Sequence, residues 1–154
     1  MPPVNPAPSP VSNLEAFQRR LGYVFQDEGL LRLALTHPSV AHEAAGPVPH
    51  NQRLEFLGDS VLSLVLSREL YEKFPTLSEG PLTKARAQMV NQRSLAAEAL
   101  RLDLGEHLIL SRGEEANGGR QRASTLADAF ESLLGAIFLD GGFRSEERRV
   151  GKEC

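Results

Sequence analysis

The 154-residue chain carries 17 Lys and Arg against 20 Asp and Glu, with 41% hydrophobic and 24% charged residues. That is the length of one domain with enough apolar content for a core. The net charge of −3 argues against a protein that only coats nucleic acid, for which a basic excess is expected. No apolar run is long enough to span a bilayer and no basic-then-apolar leader opens the chain, so a cytoplasmic protein is expected. The single cysteine, Cys154, has no internal disulfide partner.

Residues 1–11 hold five prolines and almost no core-forming side chains, so a disordered arm is expected over residues 1–12 and the domain over 13–143. Ser12 or Asn13 is placed to cap a first helix through Leu14, Phe17 and Leu21, which Gly22 stops. Asp27 starts a second helix through Leu30, Leu31, Leu33 and Leu35, ending before Pro38. After a loop at 45–50 comes the strongest helical stretch, Asn51 to about Phe74. Ser78 caps the next helix, with Glu79 in its first turn and Pro81 tolerated there. A further helix is expected over Ser94 to Leu102. The apolar piece 108–110 and a polar, glycine-bearing loop at 111–121 follow, then a last helix from Ser124 to Leu139. No alternating strand pattern of useful length appears, so the domain is expected to be all-α. Arg144 to Cys154 does not join the last helix's pattern. It resembles a translated sequencing-adapter read-through, is set aside as a non-native tail, and leaves the natural protein expected to continue beyond Phe143.

Two helices carry acids among apolar residues. In Leu54–Leu70 most of the circumference is apolar, through Leu54, Leu57, Val61, Leu62, Leu64, Val65 and Leu66, which predicts a buried helix. Glu55 and Asp59 nevertheless share one of its faces at i and i+4, with Gln52 one turn earlier. The helix from Ser124 repeats the pattern, with Asp128 and Glu131 at i and i+3 among Leu126, Phe130, Leu133, Leu134, Ile137 and Phe138. Like charges beside an apolar core are costly unless a cation offsets them. If the two helices meet, the four carboxylates form an all-oxygen site of the kind Mg2+ or Mn2+ prefers. The alternative, two ordinary solvated stripes, stays open on composition and spacing alone.

The segment NQRLEFLGDSVL, 51–62, resembles the signature motif of the ribonuclease III family. LGYVFQDEGLLRLALTHPSV at 21–40, SEGPLTKARAQMVN at 78–91 and RASTLADAFESLLGAIFLDGG at 122–142 are similar to its other blocks, in family order, so the resemblance covers about residues 13–143. It implies a homodimeric helical endonuclease domain that hydrolyses double-stranded RNA with Mg2+ (Mn2+ substituting) and no small-molecule cofactor. The implied products bear 5′-phosphate and 3′-hydroxyl ends, in processing of rRNA and mRNA. Carried over by position, Glu55, Asp59, Asp128 and Glu131 match the family's metal-binding carboxylates, with Asp59 and Glu131 as the catalytic pair. Glu79 matches a further acidic position at the catalytic centre, and Phe56 an aromatic that joins two subunits. Gln52 departs from the pattern: many members carry glutamate there, and glutamine keeps the size and an acceptor but loses the charge.

Arg112, Arg120 and Arg122, in the loop with Gly118 and Gly119, are candidates for RNA phosphate contact, against a plain solvated loop. Lys84 and Arg86 face the same choice between phosphate and surface acids. His37, in THPS, reads as a structural histidine rather than a ligand. The full-length family pattern adds a C-terminal double-stranded-RNA-binding domain, which this chain lacks. The competing function is a catalytically silent RNA-binding domain of the same fold, which the presence of all four acids disfavours.

Overall fold

The computed structural model describes residues 10–142, and among them the chain is helical throughout. The arm expected over 1–12 is therefore covered only from Pro10, where a helix already begins, and the tail expected at 144–154 lies outside the described residues. Helix α1 (Pro10–Leu21) buries Leu14, Phe17 and Leu21 and ends at Gly22, whose φ of +80° reverses the chain as a helix C-terminal glycine does. Helix α2 (Glu28–Leu35) starts at Asp27, whose side chain accepts from the Gly29 N–H at 2.9 Å. A short helix α3 (Ser39–Glu43) follows Pro38. Helix α4 (Gln52–Lys73) and helix α5 (Glu79–Met89) occupy the predicted stretches, although the Ser78 side chain makes no capping bond.

Two boundaries differ from expectation. Helix α6 (Gln92–Arg101) starts before Ser94, because Asn91 is the cap and accepts from the Ser94 N–H at 2.9 Å. The stretch 111–121, expected to be loop, holds helix α7 (Arg112–Ala116) and a 3-10 turn at Gly119–Gln121. Helix α8 (Ala123–Gly141) then runs to Gly142. No helix among the described residues is long and apolar enough to cross a membrane.

Helix α8 is the central element: α2, α4 and α6 all pack on it. It buries Leu126, Phe130, Leu133, Leu134 and Ile137 on several faces at once, as a helix apolar most of the way round must. Helix α4 does not behave the same way. It buries Leu54, Val61, Leu62, Val65 and Leu66, but Leu64 is 58% exposed and Phe56 is 79% exposed. The expectation of an all-round buried α4 is thus corrected to a helix with one core face and one open face.

Backbone ties between helices hold the start of α4 in place. The Asn51 N–H donates to Thr36 O at 2.9 Å, and its side-chain amide donates to Ala34 O at 3.1 Å. Buried Asn51 thereby fixes the end of α2 to the head of α4. On the other side Thr36 forms an isolated parallel bridge with Ile109, carried by Ile109 N–H to Leu35 O and His37 N–H to Ile109 O, both 2.9 Å.

Candidate metal centre

The site is built where α4 crosses α8, and two glycines permit the crossing. A Cβ placed on Gly58 would stand 1.7 Å from the Glu131 carbonyl oxygen, and one on Gly135 would stand 2.4 Å from that of Leu54. Only hydrogen at both positions lets the backbones touch. Ser132, fully buried, ties the same crossing: its hydroxyl lies 2.8 Å from Asp128 O and 3.1 Å from Asn51 O. Residues on either side of the contact are then forced into one space. Glu55 and Asp59 come from α4, Asp128 and Glu131 from α8.

The four acids do pair, but across the helices rather than along them. Glu55 is hydrogen-bonded through its carboxyl to Asp128, and Glu131 to Asp59. Two carboxyls within hydrogen-bond reach must share a proton, and here burial reinforces the demand. Desolvation, then the charge and hydrogen bond of Asp128, then Asp59, push Glu55 up to about 7. Desolvation, then Asp59, then Glu55 and Asp128, push Glu131 up to about 8. Asp128 is also raised, chiefly by burial, against the lowering effect of its bond to Glu55 and the charge of His37.

Gln52, Glu55, Phe56, Asp59 and Glu131 line an open cleft of about 470 Å³ with no basic side chain on its wall. The donor set is oxygen only, which suits a hard divalent cation. As the side chains lie, no three His, Cys, Asp or Glu residues among those described stand in positions to hold an ion. With Glu55 and Glu131 raised, cation binding there is expected to be coupled to proton release. The residues fit such an ion by chemistry and by placement on two rigid helices.

The remaining predicted residues divide. Gln52 is on the cleft wall. Glu79 opens α5 on the surface and is not among the cleft residues, so within one chain the expectation of a fifth acid at the centre is not met. Phe56 stands between the cleft and a larger apolar groove. Arg120 is engaged internally: its guanidinium bonds Glu115 at 2.9 Å and the carbonyls of Gly105 and Leu108 at 2.6 and 2.9 Å. That buries most of a side chain read from sequence as an RNA contact, and its role is to stitch the 3-10 turn at Leu104–His107 to the head of α8. Arg122 pairs with Glu114, and Arg112 is exposed, with its backbone N–H donating to Glu43 at 3.0 Å. Arg86 donates to Ser67 Oγ at 2.8 Å. His37 is structural as expected. Its Nδ1 accepts from the Ser39 N–H at 3.0 Å, and burial, ahead of Arg122 and His50, lowers its basicity against the raising charges of Glu114 and Asp128.

A model of the family described as Ribonuclease-III-like matches residues 27–154. The curated Ribonuclease 3 of Oleidesulfovibrio alaskensis is 50% identical over 136 residues, 88% of this chain and 59% of that protein. That of Desulforamulus reducens is 57% identical over 124 residues, 80% of this chain and 50% of its own length. The chain therefore spans between half and three-fifths of these relatives. Among solved structures, the nuclease domain of ribonuclease III from Campylobacter jejuni, described for flexibility in a region involved in dimer formation, superposes with a TM-score of 0.85. It shares 42% identity over 91% of this chain and 94% of that one. Dicer from Pichia stipitis matches at a TM-score of 0.64 with 29% identity, over 84% of this chain and 55% of its own.

Proposed function

The chain belongs to the ribonuclease III family, and from that premise we propose that it is the catalytic domain, residues 13–143, of an endoribonuclease that cuts double-stranded RNA with divalent metal ions. One observation supports this above others. Glu55, Asp59 and Glu131 from two crossing helices line one cleft, with Asp128 against Glu55, and burial together with the neighbouring acids pushes Glu55 up to about 7 and Glu131 up to about 8.

Glu55, Asp59, Asp128 and Glu131 would hold Mg2+, with Mn2+ as a substitute. Held by these residues, such a cation would supply an activated water near neutral pH and would offset charge on the departing oxygen. The residues themselves do the placing. Asp59 and Glu131, one from each helix, line the cleft together and would offer carboxylate oxygens to the ion. The Gly58–Gly135 contact keeps α4 and α8 from sliding, so the acids keep their spacing while the phosphodiester is engaged. Hydrolysis that breaks the bond from phosphorus to the 3′ oxygen leaves a 3′-hydroxyl and a 5′-phosphate. Gln52 adds no charge to the cleft, which lessens repulsion of the phosphate but removes one acidic contact. Arg112 and Arg122 are the loop cations placed to meet RNA backbone once engaged, whereas Arg120 has a structural role.

Two copies of the chain would complete the enzyme. Phe56 is 79% exposed beside an apolar groove of about 830 Å³ lined by Leu30, Leu33, Val48, Pro49, Leu57 and Leu139. A protruding aromatic next to a groove is self-complementary about a two-fold axis. A cytoplasmic location and roles in rRNA and mRNA processing belong to the same reading.

The test is cleavage of a plain RNA duplex in Mg2+, with single-stranded RNA as the control. Wild type is expected to cut the duplex to 5′-phosphate ends at low salt, Asp59→Ala to lose at least about a hundredfold in rate, and Phe56→Ala to sediment as monomer. Equal rates for wild type and Asp59→Ala would refute the assignment. A gain in Gln52→Glu would show that the missing acid limits the rate.

A further inference from the structure

The head of α8 is held by an arrangement that the metal centre does not itself require. Arg122 occupies the position before the first turn of α8, where no side chain caps the helix and no acid stands in its first turn. A cation there opposes the positive end of the helix dipole. It is tolerated because its guanidinium is ion-paired with Glu114 of α7 and donates to Asn117 O at 3.3 Å.

Glu114 is itself fixed on every side. Its side chain is 19% exposed and lies across Gly119, where any Cβ would stand 2.5 Å from its Cγ and Oε1. Its N–H donates to Ser111 Oγ at 3.1 Å, the Ser111 N–H donates to Ser39 Oγ at 3.1 Å, and the Arg112 N–H donates to Glu43 Oε2. The pair therefore joins α7 to the head of α8, and the Ser111 and Arg112 N–H bonds to Ser39 and Glu43 tie the start of α7 to α3. From Arg122 to Asp128 is six residues, under two turns of the helix that carries two of the four acids. His37 is within electrostatic reach of Glu114, Arg122 and Asp128.

We infer that Glu114 is a positioning residue: by holding Arg122 it sets the placement of the first turns of α8, and with them Asp128 and Glu131, for cation binding. This rests on the metal-centre reading above. Residues beyond the ligands that orient them contribute about ten- to a hundredfold to metal affinity in comparable sites.

Direction of effect separates this from simple electrostatics. If Glu114 and Arg122 acted only through their charges, Glu114→Gln would weaken a cation and Arg122→Gln would strengthen it. A latch makes both changes weaken it, and makes the double variant no worse than either single one.

The experiment is calorimetric titration of Mn2+ into the whole chain without RNA. Wild type is expected to bind; Glu114→Gln and Arg122→Gln are each expected to bind about tenfold more weakly. The double variant should match the singles, with Glu114→Asp recovering part of the loss. Opposite signs for the two single variants, or affinities equal to wild type, would overturn the latch while leaving the metal centre intact. No binding by wild type would overturn both. Arg122→Lys guards against a folding failure, since it keeps the charge and loses the planar fork. It is expected to weaken Mn2+, and unchanged affinity there would also count against the latch.

Discussion

Glu131 is half-buried with Asp59, Glu55 and Asp128 around it, and its ionisation is opposed first by desolvation and then by those charges. Its folded-state value of about 8 lies above the ordinary 4.5. The unfolded chain therefore binds fewer protons than the folded one throughout that window, and stability falls as pH rises through it. The stability associated with the neutral carboxyl is complete below the ordinary value and lost above about 8. Glu131→Gln keeps the shape without the ionisation. In a chelator, thermal melts are expected to show the variant more stable than wild type at pH 9, with the gap closing by pH 5. A constant gap across that range would contradict the raised value. The identities of the four acids were legible in their spacing among apolar residues. Their partners were not, because i,i+4 spacing says which residues share a face and nothing of what the face meets. Arg120 misled for the same reason: a cation in a glycine-bearing loop looks solvated until the carbonyls of Gly105 and Leu108 are folded against it.

At the level of elements, the α4–α8 crossing depends on two missing side chains. The Glu131 carbonyl that a Gly58 Cβ would strike is backbone inside a central helix and cannot turn aside as a flexible side chain would. Gly58→Ala is therefore expected to destabilise the chain by about 2–3 kcal/mol, the upper part of the range for overpacking, read as a lower urea midpoint. A neutral outcome would mean the helices are not in backbone contact. Helix positions were well marked where a cap or a glycine stop met a 3.6-residue period: Asp27 opens α2, and Gly22 and Gly142 follow α1 and α8, whereas Ser12 and Asn13 fall inside α1 instead of before it. Helix α7 escaped because five residues cannot display a period, and the start of α6 was set at Ser94 because the capping role of Asn91 went unnoticed. Gly58 and Gly135 stood in plain view, but a glycine in a helix carries no signal of close approach until its neighbour is known.

Across the whole molecule the fold places its charge deficit and its apolar face side by side. Gln52 and Phe56 belong to both the acidic cleft and the adjoining apolar groove. On the proposed reading, association of two chains and loading of the two sites would be neighbouring events. The all-α class followed from the sequence pattern, whereas RNA and hydrolysis came only from the motif at 51–62 and its companions. With Glu55 and Glu131 raised by burial and by their acidic neighbours, a divalent cation binding between α4 and α8 is expected to displace protons. Mn2+ titrated into the chain at about pH 7, in buffers of different ionisation enthalpy, counts the protons expelled on binding. With Glu55 near 7 and Glu131 near 8, wild type is expected to release about one to two protons per chain, and Glu55→Gln/Glu131→Gln to release fewer than wild type. Binding without proton release in wild type, or the same release from the double variant, would contradict it.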